Sequence, residues 1–179
     1  MSNPLPGGYA ATLRTLIRFA IAMAIFGILI GIAYQESAKK LPIASVPVEV
    51  HQGALAPLSL VHGHFFTLGV FLPLCLAGAL VLALRAGGRP VGPKAQAVLT
   101  RGFLPFAAAT VLLLLFKGYF VLLAVRHGQH DLAVVDAGFM GGSHAVRYAV
   151  YAVVHSGMGI TLVVFLVALW RSLGKGKPA

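Results

Sequence analysis

A chain of 179 residues with 59% hydrophobic and 10% charged side chains, at a mean hydropathy of +0.90, is too apolar for a water-soluble globule and points to lipid as its solvent. A net charge of +10 suggests nucleic acid at first sight. Once the apolar segments are set aside, however, no folded basic module or aromatic-interleaved basic stripe remains, so no nucleic-acid partner is expected.

Four apolar runs follow in chain order, about Leu16 to Tyr34, Leu58 to Leu84, Phe103 to Val125 and Tyr148 to Trp170. Each is near or above the ~20 residues a helix needs to cross the hydrocarbon. A helix satisfies its backbone internally, and runs this long and rich in Leu and Ala do not suit barrel strands. The expected fold is an all-α integral membrane four-helix bundle, with residues 1–179 forming one membrane domain and the lipid bilayer as its first partner.

Basic residues set the expected orientation. Arg14 and Arg18 precede the first span, Arg85, Arg89, Lys94 and Arg101 fill the second loop, and Arg171, Lys175 and Lys177 follow the fourth span. The other side holds only Lys39, Lys40, Arg126 and Arg147. Both termini are therefore expected in the cytoplasm, Trp170 at the inner interface, and Tyr148 and Tyr151 near the outer one. The first span resembles a signal peptide in its basic flank, but it is read as retained, because its loss would invert the charge pattern. Pro42, Pro47 and Pro57 are expected to break up the first outer loop, and Gly138, Gly141 and Gly142 to loosen the second. The single cysteine, Cys75, excludes an intramolecular disulfide and is read as a small core residue.

The chemistry is concentrated in the outer half. Leu60-Val-His-Gly-His-Phe-Phe-Thr-Leu-Gly69 opens the second span with His62 and His64, and Val154-His-Ser-Gly-Met158 carries His155 on the fourth. Polar groups at this depth cost free energy unless partnered. The second and fourth spans run in the same direction, so His64 and His155 are expected at similar heights. Two histidines from different helices suit the two axial positions of a haem, and Gly63, Gly69, Gly157 and Gly159 leave room either for such a bulky planar ligand or for close helix packing. His62 and His64 point about 200° apart and do not easily share one iron. The plainer alternative is that these histidines only hydrogen-bond between helices.

Other residues join the candidate set. Glu36 is a metal-ligand candidate, although pairing with Lys39 or Lys40 is the simpler account. Lys117 stands about eight residues, or ~12 Å of helix, inside the third span; it is expected to snorkel, meet a carboxylate or receive a haem propionate. Arg147 is a second propionate candidate. Met158 shares a face with His155 and is read chiefly as core. His51, His127, His130 and His144 are placed in or beside the outer loops as solvated residues, with His144 a spare ligand.

The order Tyr34-Gln-Glu36, Val61-His-Gly-His-Phe-Phe-Thr-Leu-Gly69, Lys117-Gly and His155 resembles an uncharacterised bacterial family of small four-span membrane proteins. The resemblance runs from about Thr15 to Leu169, departs where that family has Arg in place of Lys117, and implies a bacterial cytoplasmic membrane protein with its polar site in this half. His62-Gly-His64 followed by Phe65-Phe66 and Gly69 also resembles the His-x-His helix of haem-copper oxidase and nitric oxide reductase catalytic subunits. That resemblance implies haem ligation and, by analogy, a homo-oligomer such as a trimer. No three-histidine copper cluster accompanies it, so oxygen reduction is not implied.

The functional expectation is a b-type haem protein acting in electron transfer or in diatomic gas or quinone chemistry, with an unidentified redox partner. Whether it is an enzyme is left open. The alternatives are a metalloprotein using His62, His64, His155 and Glu36 around zinc, copper or non-haem iron, and a cofactor-free scaffold or transporter subunit. A c-type haem is not expected, since no Cys-x-x-Cys-His exists.

Overall fold

The structure, a computed structural model, describes residues 5–41 and 46–174. Five helices follow in order: α1 (Tyr9–Lys39), α2 (Val48–Arg85), α3 (Pro93–Arg126), α4 (Leu132–Gly138) and α5 (His144–Ser172). Four of them, α1, α2, α3 and α5, are long and apolar enough to cross a membrane. The chain is thus an all-α, multi-pass membrane bundle. Its outer surface agrees with lipid as solvent: Ile17, Ile21, Ile25, Ile28 and Ile32 of α1 are all exposed, as a lipid-facing stripe requires. We call the end that joins Tyr9, the α2–α3 loop and Ser172 proximal, and the opposite end distal.

Three clusters of buried side chains stack along the bundle. Leu16, Leu80, Leu99, Phe103 and Phe165 fill the proximal end, Met23, Val61, Phe65 and Val111 the middle, and Ala54, Leu58, Leu122, Val125 and Val135 the distal end. Of the apolar stretch of α3, 39% is buried, against 6% for α5, so α3 is the central helix and α5 the peripheral one.

Two wide i→i+5 turns interrupt the spans, at Phe65–Phe71 in α2 and Val98–Phe103 in α3. Each ends two residues before a proline, Pro73 or Pro105. A proline offers no N–H and its ring crowds the carbonyl four residues back, and widening the preceding turn relieves both problems.

Several sequence expectations need correcting. Helix α2 begins at Val48 and α3 at Pro93, each about ten residues before the apolar run it contains. The run marks the stretch that must be apolar, whereas the helix continues for as long as its backbone remains bonded. Pro57 therefore lies inside α2 rather than in a loop, while Pro47 stands immediately before the helix; Pro42 lies outside the described residues. Cys75 is exposed rather than in the core, because the buried face of this turn is taken by Leu76 and Ala77. Gly141 and Gly142 do adopt left-handed conformations, with φ of +72° and +77°, and Gly138 ends α4.

A buried polar lock closes the proximal end. The Tyr9 hydroxyl accepts from Val91 N at 2.6 Å, Gln96 Nε2 donates to Val91 O at 2.8 Å, and Thr12 Oγ1 donates to Gln96 Oε1 at 2.8 Å. Tyr9 is 1% exposed. Tyr9→Phe strands the Val91 N–H and is expected to cost about 1–3 kcal/mol, seen as a lower melting midpoint in detergent. An unchanged midpoint would show that the N–H finds water.

Candidate functional site

His62 lies on the face of α2 that meets α1. Its Nδ1–H donates to the carbonyl of Gly27 at 3.1 Å; because a carbonyl only accepts, Nε2 is left as the lone-pair nitrogen. Gly31 makes this approach feasible, since a Cβ there would stand 2.8 Å from His62 Cε1. Phe66, one turn on, meets the imidazole edge-on with centroids 5.1 Å apart. Beside the ring lies an open groove of about 570 Å³ between α1 and α2.

His64 and His155 are placed differently. His64 donates Nδ1–H to Leu60 O at 2.8 Å, and His155 donates to Tyr151 O at 3.0 Å. Each bond stays within its own helix and leaves Nε2 without a partner among the described residues. The opposition of His62 and His64 follows the 200° between them. No hydrogen bond or ring contact joins His64 to His155: central α3 packs against the distal part of α2 and also against α5, whereas α2 and α5 approach each other through Leu72–Arg85. Between His155 and the distal loop, the hydroxyl of Tyr151 is buried with no hydrogen-bond partner. Met158 takes the core role expected of it, packing on the proximal cluster with its sulfur accepting from Thr110 Oγ1 at 3.7 Å.

The distal cations converge on a residue that sequence reasoning missed. Lys117 Nζ is 2.7 Å from Asp136 Oδ1, and Arg147 Nη1 is 3.2 Å from Asp136 Oδ2. Arg147 also donates to the Asp136 carbonyl and, through Nη2, to His144 Nδ1 at 3.2 Å. Asp136 is brought there by α4, whose start is fixed by Asp131 accepting from Ala133 N and Val134 N at 2.9 and 3.2 Å. The Lys117 hydrogen bond holds the Asp136 carboxyl below the ordinary carboxylate range, against some desolvation and with help from the charges of Lys117 and Arg147. A signal existed in the sequence: only four acidic residues are present, Asp136 falls in an otherwise apolar segment, and an intramembrane Lys requires a counter-charge.

Glu36 pairs with Lys39 at 2.6 Å on an exposed face and is not brought to the histidines. His51, expected to be solvated, instead bonds Leu41 O through Nε2 at 2.9 Å and ties the end of α1 to the start of α2. His127 and His130 are exposed. No three His, Cys, Asp or Glu side chains converge to hold a metal ion among the described residues. Compared with known proteins, the chain matches no family model, no curated protein and no solved structure.

Proposed function

We propose that this is a membrane b-type haem-binding protein with its site in the distal half of the bilayer, acting in electron transfer or in diatomic gas or quinone chemistry. The observation that carries the reading is the shared state of three histidines. His62, His64 and His155 each spend Nδ1–H on a backbone carbonyl, the bond that fixes ring and tautomer for ligation through Nε2. Polar groups for such a ligand are at hand: the buried Tyr151 hydroxyl is unpartnered, its ring lies 5.7 Å from that of His155, and Lys117 and Arg147 share one carboxylate. A bound haem supplies a redox-active iron with one or two imidazole ligands.

His64 and His155 are the first ligand candidates and His62 the alternative, with Lys117 and Arg147 as partners for the propionates in exchange for Asp136. Because His64 and His155 are tied within separate helices, a pair of axial ligands is best supplied across a contact between copies, in keeping with a homo-oligomer. The lack of three converging donors among the described residues weighs against a zinc or copper centre held by Glu36 and the histidines. The distribution of Lys and Arg supports both termini lying on the cytoplasmic side, and the resemblance to the small four-span family supports a bacterial cytoplasmic membrane. The resemblance to the small four-span family and to the oxidase His-x-His helix points the same way.

The test is an absorption spectrum of the detergent-purified protein, oxidised and then reduced with dithionite. A Soret band with sharp reduced α and β bands is expected. His64→Ala or His155→Ala should lose most of the haem, and His127→Ala should retain it. Full retention by both of the first two variants would overturn the ligand assignment.

A further inference from the structure

The groove beside His62 has a chemistry of its own. Ile28, Ile32 and Phe66 make an apolar inner part, and Tyr34, Gln35 and Ser59 surround the part nearer the distal end. The seven helical steps from Ile28 to Gln35 span about 10 Å, so polarity rises along the groove as it does from acyl chains to headgroups. At about 570 Å³ it is within the size range of small-molecule sites. Its lining includes no charged side chain. A phosphate or carboxylate head would find no counter-ion there, so the fitting ligand is a neutral amphiphile.

The imidazole narrows the class further. It is held by the Gly27 carbonyl, by the absence of a side chain at Gly31 and by the edge of Phe66, and Nε2 is left free to accept from a ligand donor. The Ser59 hydroxyl already donates to Ala56 O at 2.8 Å. Gln35 offers both an amide donor and a carbonyl nearer the groove's mouth. We infer that this groove binds a lipid-soluble hydroquinone, with one ring hydroxyl donating to His62 Nε2, the other facing Gln35 and Tyr34, and the tail leaving between Ile28 and Phe66. This inference deepens the quinone part of the proposed function and shares His62, the alternative iron ligand, with the haem reading; neither His64 nor His155 lines the groove, so with those two as ligands either reading can fail alone.

The experiment measures equilibrium binding of a decyl-tailed benzohydroquinone and of its oxidised benzoquinone to the protein in nanodiscs, against empty nanodiscs. The quinone cannot donate to Nε2, so the hydroquinone is expected to bind about five- to tenfold more tightly, the value of one net hydrogen bond. His62→Phe keeps a ring and removes the acceptor, and should abolish that preference. If this variant does not fold, Ile32→Trp, which fills the groove from the lipid side, should abolish binding of both forms while helicity is retained. Equal affinity of the wild type for the two forms, a preference that survives His62→Phe, or undiminished binding to Ile32→Trp would overturn the inference. Haem content is read on the same His62→Phe sample: its loss would make His62 an iron ligand and overturn the groove assignment. A colourless wild type that still prefers the hydroquinone would overturn only the haem reading.

Discussion

Replacing Asp136 with Asn is expected to destabilise the distal end by about 1–2 kcal/mol, less than the 3–5 of a fully buried broken pair because these groups are partly wet. Lys117 and Arg147 have side-chain exposures of 29% and 11%, and the carboxylate between them 47%. Without Asp136, two cations face each other across α3 and α5 with no counter-charge. Adding Lys117→Gln to the Asn variant should recover about half of the loss, since it removes one stranded charge. The pH dependence follows from the depressed Asp136 carboxyl. Its contribution is fully present above the unfolded-state pKa and disappears as pH falls through the lower folded-state value. Melting curves of wild type and Asp136→Asn should therefore differ at neutral pH and converge in strong acid; a constant gap across that range would mean that the charge of Asp136 is not what holds the network.

That network also marks the limit of what could be read from the residues. The four spans were legible because hydrocarbon demands about twenty apolar residues in a row, and nothing else in the chain competes with that signal. Lys117 was legible as a charge in need of a partner and the scarcity of acids pointed toward Asp136, but their meeting was not legible, because Asp136 reaches Lys117 only after α4 folds the loop back against the end of α3. Helix ends were misplaced for a related reason. Hydropathy reports where lipid lies, and Val48–Pro57 and Pro93–Gly102 are helical without being part of the apolar runs. Cys75 and His51 were misjudged because the face a residue occupies depends on packing partners that no local pattern specifies.

The histidines divide along the same line. That His62 and His64 point apart follows from helical geometry alone, and the structure gives them separate surroundings, the α1 groove for His62 and an intrahelical bond for His64. The pairing of His64 with His155 assumed a bundle in which second and fourth helices face each other. Here α3 takes the centre, which changes the question from how two histidines meet within one chain to what meets each of them outside it.

Position 118 tests whether the centrality of α3 depends on close approach. A Cβ on Gly118 would stand 2.6 Å from Leu58 Cδ2, 2.9 Å from Leu58 Cγ and 3.3 Å from the Leu58 backbone nitrogen. Leu58 is fully buried, so its side chain has little space to retreat into and its backbone has none. Gly118→Ala should gain up to about 1 kcal/mol from helix propensity and still be destabilised, net, by about 1–3 kcal/mol from overpacking. Gly159→Ala is the control, because nothing lies within 4 Å of its would-be Cβ; it should be neutral or stabilising. Leu58→Ala alone should cost about 2–5 kcal/mol as a cavity, yet added to Gly118→Ala it should cost less than the sum, since the new methyl occupies part of the space vacated. Strict additivity in melting midpoints would show that α2 and α3 do not meet here. Because Lys117 is the next residue along α3, a helix pushed off Leu58 should also weaken the hold on Asp136, so Gly118→Ala should reduce the acid sensitivity of the distal end as well as its stability.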